Sequence, residues 1–234
     1  MELKINDRKI FEDFETERAE KMHSLCSDSY YSEKKFIAII NSLGRKEANI
    51  TKALEYAKTL NFSKNSLKSS YLSHPLRLAS FLIEMEPTIA SDHIVIALLH
   101  NVPETTEISI AELEKIFGKN VATGIDTLVV DRKVSFPSIE ESYYKAIFEQ
   151  GKSLVLIKLL DKIDNLFVLC LNADDEIRKN YIIEVREKLL PFAFKYNKQL
   201  GEYLDELLNL TVKLGFSEKL KKQLTEYQQS IKTS

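Results

Sequence analysis

The chain has 234 residues, 44% of them hydrophobic and 29% charged, with 33 Lys and Arg against 35 Asp and Glu for a formal net charge of −2. At roughly 150 residues per domain this length holds one large domain or a small pair, and the apolar content excludes a disordered chain. The near-neutral balance gives no general electrostatic pull toward DNA or an anionic membrane, so any basic site must be local.

The amino-terminal stretch MELKINDRKIFEDFE carries charges where a signal peptide needs an apolar run, and nothing approaches the roughly 18 apolar residues of a membrane span, so a cytoplasmic protein is expected. Cys26 and Cys170 stand alone without CxxC spacing and read as small buried hydrophobes. Only 6 Gly and 5 Pro punctuate the chain. Apolar residues recur mostly at three and four, which predicts an all-α protein. Helices are expected over 5–25, 33–44 and 50–60, then a Ser/Asn/Lys-rich loop over 61–73. His74-Pro75 starts a helix reaching Glu86, with Pro75 at a first position where its missing N–H costs nothing. Ser91 begins DHIVIALLHN, apolar almost all round and therefore central, which Pro103 ends or kinks. Ser109-Ile-Ala-Glu112 is a capping box for a helix ending at Phe117-Gly118, and Ser138-Ile-Glu-Glu141 repeats that device. Between them DTLVVDRKVSFP (126–137) is β-branched and turn-like and reads as a short β-hairpin. Gly151 precedes KSLVLIKLLDKIDNLFVLCLN, and helices over 174–200, 202–214 and 217–231 close the chain. No repeat, low-complexity tract or linker interrupts it.

Two apolar helices carry polar residues where packing alone would choose Leu or Val. His100 and Asn101 end IVIALLHN, and Asp161 sits among Leu159, Leu160 and Ile163. An unpaired buried carboxylate costs several kcal/mol, so Asp161 needs a partner: a metal ion shared with imidazoles, an ion pair with Lys158 or Lys162, or solvent at the helix surface.

The segments ALEYAK (53–58), SHPLRLASFL (73–82), ALLHNVPETT (97–106), FGKNV (117–121) and KLLDKIDNL (158–166) come in the order and surroundings of a known constellation. Over roughly residues 50–200 the chain resembles the HD-domain metal phosphohydrolases. Within them it is similar to the hydrolase domain of the RelA/SpoT family and the small alarmone hydrolases, which remove the 3′-pyrophosphate from (p)ppGpp with a single Mn²⁺. The resemblance implies a multi-helix HD-domain bundle, taken as a single globular unit over 50–234, and the two helices read from 5–25 and 33–44 make 1–49 a helical extension packed on it. It implies Mn²⁺ held by His74, His100 and Asp161, with Asn101 in the place of a fourth ligand. Glu104 would act on the attacking water, and Asn165, one helical turn beyond Asp161, would contact the nucleoside, with Lys68 and Lys158 among the substrate contacts. The partner implied is a small nucleotide bearing a pyrophosphate.

Four departures stand against that pattern. Asn101 replaces the anionic ligand that gives the motif its second letter, which removes one negative charge and lowers metal affinity. Thr105 stands where a second acid belongs beside Glu104, and a well-placed base contributes ~10²–10⁴-fold. The family's Arg-Lys-Ser-Gly loop is here Asn65-Ser66-Leu67-Lys68, with Lys64 and Lys68 at shifted positions, and Pro103 precedes Glu104. Two functions therefore stand side by side: a metal-dependent (p)ppGpp 3′-pyrophosphohydrolase, or a degenerate HD domain that binds a nucleotide, another phosphorylated ligand or a protein without hydrolysis. Arg132, Lys133 and Lys145 read as surface charges.

Overall fold

The computed structural model describes residues 14–26, 29–65, 68–130 and 136–232. In chain order the helices are α1 (Phe14–Cys26), α2 (Tyr30–Ser42), α3 (Ala48–Thr59), α4 (Ser73–Met85), α5 (Ser91–Leu99), α6 (Val102–Thr105) and α7 (Ile110–Phe117). They continue as α8 (Lys119–Leu128), α9 (Phe136–Glu149), α10 (Lys152–Leu166), α11 (Asp175–Glu184), α12 (Leu190–Tyr196), α13 (Lys198–Leu214) and α14 (Glu218–Lys232). No strand occurs among the described residues, so the all-α expectation holds. No helix among them is long and apolar enough to cross a membrane.

The residues cluster into two compact units. One comprises α2 through Asp161; the other comprises α1 and the chain from Lys162 onward, so the boundary falls inside α10. In the first unit α5 is central, as its composition requires: Ile94 through Leu99 are all buried, and α3, α4 and α8 pack around it. α2 lies on α4 and α7 on α8. Arg45, in the α2–α3 connection, donates to the carbonyls of Pro87 and Ile89, both at 2.9 Å, and so fixes the turn between α4 and α5. In the second unit α12 packs on α13, and α1 lies against α14. There Lys21 meets buried Asp164 at 3.0 Å, Arg18 donates to the Phe167 carbonyl, and Phe14 stacks on Phe167 and Tyr203.

Local signals explain most boundaries. Ser109 accepts from the Glu112 amide while Glu112 accepts from the Ser109 amide, completing the expected capping box. Gly118 follows at φ 86, a conformation that suits glycine, and separates α7 from α8. Four expectations are corrected. Pro75 is the third helical residue rather than the first, still within the turn whose N–H groups lack intrahelical acceptors. Asp126–Leu128 finish α8 and Phe136–Pro137 open α9, because Val121, Ala122, Ile125 and Leu128 follow a helical period that outweighs β-branching; the rest of the expected hairpin, with Arg132 and Lys133, falls at 131–135, outside the described residues apart from Val129 and Val130. α9 begins before Ser138, so that residue is not its cap. The expected helix over 174–200 is broken: Pro191 cannot donate to the turn before it, a π-turn spans Val185–Leu189, and Asn197 leaves helical geometry at φ −160 to cap α13 from below.

Candidate metal centre

Three buried side chains from distant parts of the sequence meet within the unit that runs from α2 to Asp161. His74 comes from the first turn of α4, His100 from the residue that closes α5, and Asp161 from the middle of α10. None is more than 6% exposed. Their potential ligand atoms all lie within 4.8 Å of one another. Asp161 Oδ1 stands 3.3 Å from His74 Nε2 and 3.7 Å from His100 Nε2, and the two rings are 5.3 Å apart between centroids.

The tautomer of His100 follows from its neighbour. Its Nδ1 lies 2.9 Å from the Ala97 carbonyl, which can only accept, so Nδ1 carries a proton and Nε2 is the nitrogen turned toward Asp161. That buried Nε2 has no hydrogen-bond partner. An imidazole anchored through Nδ1–H to a backbone carbonyl is the usual way a protein orients a metal-binding histidine. Two imidazole nitrogens and a carboxylate oxygen, one nitrogen otherwise unused, suit a divalent metal ion. The structure thus brings His74, His100 and Asp161 together.

The other oxygen of Asp161 is engaged: Lys158, one turn earlier and itself buried, donates to Oδ2 at 3.0 Å. Burial alone pushes the Asp161 carboxyl up, but the Lys158 ammonium and the two imidazoles hold it well below the usual carboxylate range. Burial likewise opposes the charge on Lys158, and Asp161 with Tyr143 overcomes it, raising that lysine above its ordinary value. Both directions describe one ionised pair. Tyr143, on α9, donates its hydroxyl to the Leu128 carbonyl at 2.7 Å and accepts from Lys158, whose Nζ lies 5.4 Å from the ring centroid.

Asn101 sits at the start of α6. Its Nδ2 donates to the Tyr71 hydroxyl at 2.6 Å, and the Tyr71 ring rests between Phe62 and His74, at 5.3 and 5.7 Å. Thr105 spends its hydroxyl on the Asn101 carbonyl at 2.6 Å. Glu104 accepts from the Val130 amide at 3.2 Å through Oε1, a bond that anchors the carboxylate to the end of α8. Of the expected phosphate contacts, Lys68 opens the 3₁₀ turn Lys68–Leu72 that leads into α4. Lys64 pairs at the surface with Glu107 at 3.0 Å, and Lys145 faces Glu149. Lys162 pairs with Glu184 at 2.8 Å and lies under the Tyr181 ring, whereas Lys158 meets Asp161. Asn165 follows Asp161 by one turn of α10. Tyr71 and Tyr143 were not foreseen. Tyr71 is placed three residues before His74, a spacing that could have flagged it; nothing in the Tyr143-Tyr144 pair marks the first of the two.

Comparison with known proteins bears on the same residues. The HD domain family model matches residues 53–133, a span that includes His74, His100 and Asn101 and ends before Asp161. A guanosine-3′,5′-bis(diphosphate) 3′-pyrophosphohydrolase of Aquifex aeolicus is 30% identical over 152 residues, 62% of this chain and 21% of that protein. A GTP pyrophosphokinase rsh of Brucella suis is 29% identical over 169 residues, 69% of this chain and 22% of that protein. The chain thus spans about a fifth of the length of these relatives. A solved structure described as a metazoan ortholog of SpoT that hydrolyzes ppGpp aligns with 79% of this chain and 96% of its own at 21% identity, with a TM-score of 0.48.

Proposed function

We propose that the chain is a metal-dependent nucleotide pyrophosphohydrolase of the (p)ppGpp 3′-pyrophosphohydrolase type, acting in the cytoplasm on a small nucleotide and not on DNA. Mn²⁺ would be held by His74, His100 and Asp161, with the Asn101 carboxamide assisting. The observation that carries this reading is the buried Nε2 of His100, fixed by the Ala97 carbonyl and left without a hydrogen-bond partner beside Asp161. The names of the relatives that match 62–69% of the chain, one of them a guanosine-3′,5′-bis(diphosphate) 3′-pyrophosphohydrolase, supply the substrate class.

A divalent ion bound there supplies Lewis acidity toward a phosphate oxygen and lowers the pKa of the attacking water. The remaining work belongs to side chains. Glu104, anchored by the Val130 amide, receives the proton as the water oxygen bonds to phosphorus and the bond from phosphorus to the ribose 3′ oxygen breaks, that oxygen leaving with the electron pair and taking a proton from solvent. Lys158 offsets charge on the phosphates, and Asn165 and Lys68 contact the rest of the nucleotide.

One set of observations favours the binding-only reading. Asn101 and Thr105 carry no carboxyl group where the resembled pattern has acids, and both are engaged elsewhere, Asn101 with Tyr71 and the Thr105 hydroxyl with a backbone carbonyl. Incubation of purified protein with guanosine-3′,5′-bis(diphosphate) and Mn²⁺ separates the two. Pyrophosphate release that is abolished by a chelator and by His100→Ala is the expected result. Metal-dependent nucleotide binding with no product at high protein concentration would establish the binding-only domain instead.

A further inference from the structure

The donor group contributes a single carboxylate, Asp161, and that carboxylate is already neutralised by a second cation. Lys158 Nζ lies 3.0 Å from Oδ2, both residues are buried, and the Tyr143 hydroxyl also accepts from the ammonium. Tyr143 is in turn fixed by its bond to the Leu128 carbonyl, so Lys158 is a built-in part of the centre and not a surface lysine that can swing away. Asn101, where the resembled pattern has an acid, is a neutral amide bonded to Tyr71, and the Glu104 carboxylate is held by the Val130 amide outside the donor group.

From this charge balance we infer that the metal and an anionic phosphorylated ligand enter the centre together, Lys158 acting as a fixed cation that leaves a divalent ion uncompensated until phosphate arrives. This deepens the function proposed above and rests on its assignment of His74, His100 and Asp161 as ligands. The physical reason is that a buried group tolerates little net charge. With Asp161 balanced by Lys158, both charges of a divalent ion fall on the ligand, and a phosphate dianion cancels them. Each species therefore raises the affinity of the other by the same factor, as linkage requires. The same fixed ammonium also faces the phosphates once they are bound, so Lys158 selects for anionic ligands and opposes the ion alone.

The test is Mn²⁺ binding followed by the electron paramagnetic resonance signal of the free ion, with and without inorganic phosphate at matched ionic strength. The expected result is that phosphate tightens Mn²⁺ binding by at least tenfold in the natural chain. Asn101→Asp should bind Mn²⁺ tightly without phosphate and lose most of that coupling, and Lys158→Met should do the same. Because Lys158→Met removes a buried partner, its fold is checked by circular dichroism, and the natural chain and Asn101→Asp decide the matter if it fails to fold. Mn²⁺ affinity that is unchanged by phosphate in the natural chain overturns the inference while leaving the metal centre standing. Mn²⁺ uptake no greater than that of His100→Ala under either condition overturns the ligand assignment itself.

Discussion

At Asp161 the two carboxylate oxygens have separate neighbours, the imidazoles on Oδ1 and Lys158 on Oδ2, and the energetic consequences can be pulled apart. Asp161→Asn leaves the Lys158 ammonium buried without its counter-charge, and breaking a buried pair from one side costs about 3–5 kcal/mol. Asp161→Leu with Lys158→Met removes both charges and should regain most of that stability while losing the metal site. Chemical denaturation of the single and double variants measures this, and a double variant no more stable than Asp161→Asn would contradict it. A second residue gives a pH signature. The Tyr203 hydroxyl donates to Glu17 at 3.0 Å, and burial, followed by the charge of Glu17, raises the Tyr203 phenol above its usual value. Its contribution to stability is complete below the ordinary phenol pKa of about 10 and is lost as pH rises beyond it. The stability gap between the natural chain and Tyr203→Phe should therefore narrow above pH about 10; a gap constant up to that pH and beyond would argue against it. His100 and Asp161 stood out as polar residues in apolar helices, but His74 at a helix start did not, and only the resemblance joined the three. Tyr71 and Tyr143 were not legible, since an aromatic side chain on an amphipathic helix or beside a loop has a packing role by default, and only the fold reveals which hydroxyl meets which partner.

Element boundaries were readable where a local device sets them. Ser109 and Glu112 start α7 by a reciprocal bond that lies within four residues of sequence, and Gly118 ends it. The stretch 119–128 was harder, because Val129 and Val130 outside the helix share β-branching with Val121 and Ile125 inside it. The break near Pro191 takes the form of a π-turn at Val185–Leu189, which depends on how the backbone absorbs a missing N–H and has no residue signature of its own. The junction of α12 and α13 offers a test at this scale. A Cβ on Gly201 would meet the Phe194 ring and lie 2.8 Å from the Phe194 Cα. Backbone cannot yield as a flexible side-chain tip can. Gly201→Ala is expected to destabilise by about 1–3 kcal/mol despite its better helix propensity, with thermal melting as the measurement. A rise in melting temperature would show that the two helices separate freely.

For the molecule as a whole, helix content followed from the period of the apolar residues, and the candidate centre followed from the resemblance, yet the grouping of α1 with the chain beyond Lys162 did not. Lys21 with Asp164, Glu17 with Tyr203 and Phe14 with Phe167 are contacts across more than half the sequence, and no local pattern announces them. Partners such as these keep buried polar groups satisfied at a distance. The same is true of the candidate centre, where α4, the end of α5 and α10 each bring one potential donor and α9 brings the tyrosine beside Lys158. Crystals grown with Mn²⁺ and inorganic phosphate, with anomalous diffraction recorded at the manganese edge, test that centre as a unit. One ion bonded to nitrogens of His74 and His100 and to Asp161 Oδ1, with Lys158 still on Oδ2, is the expected result; no anomalous peak there, or a peak held by other side chains, would contradict the assignment.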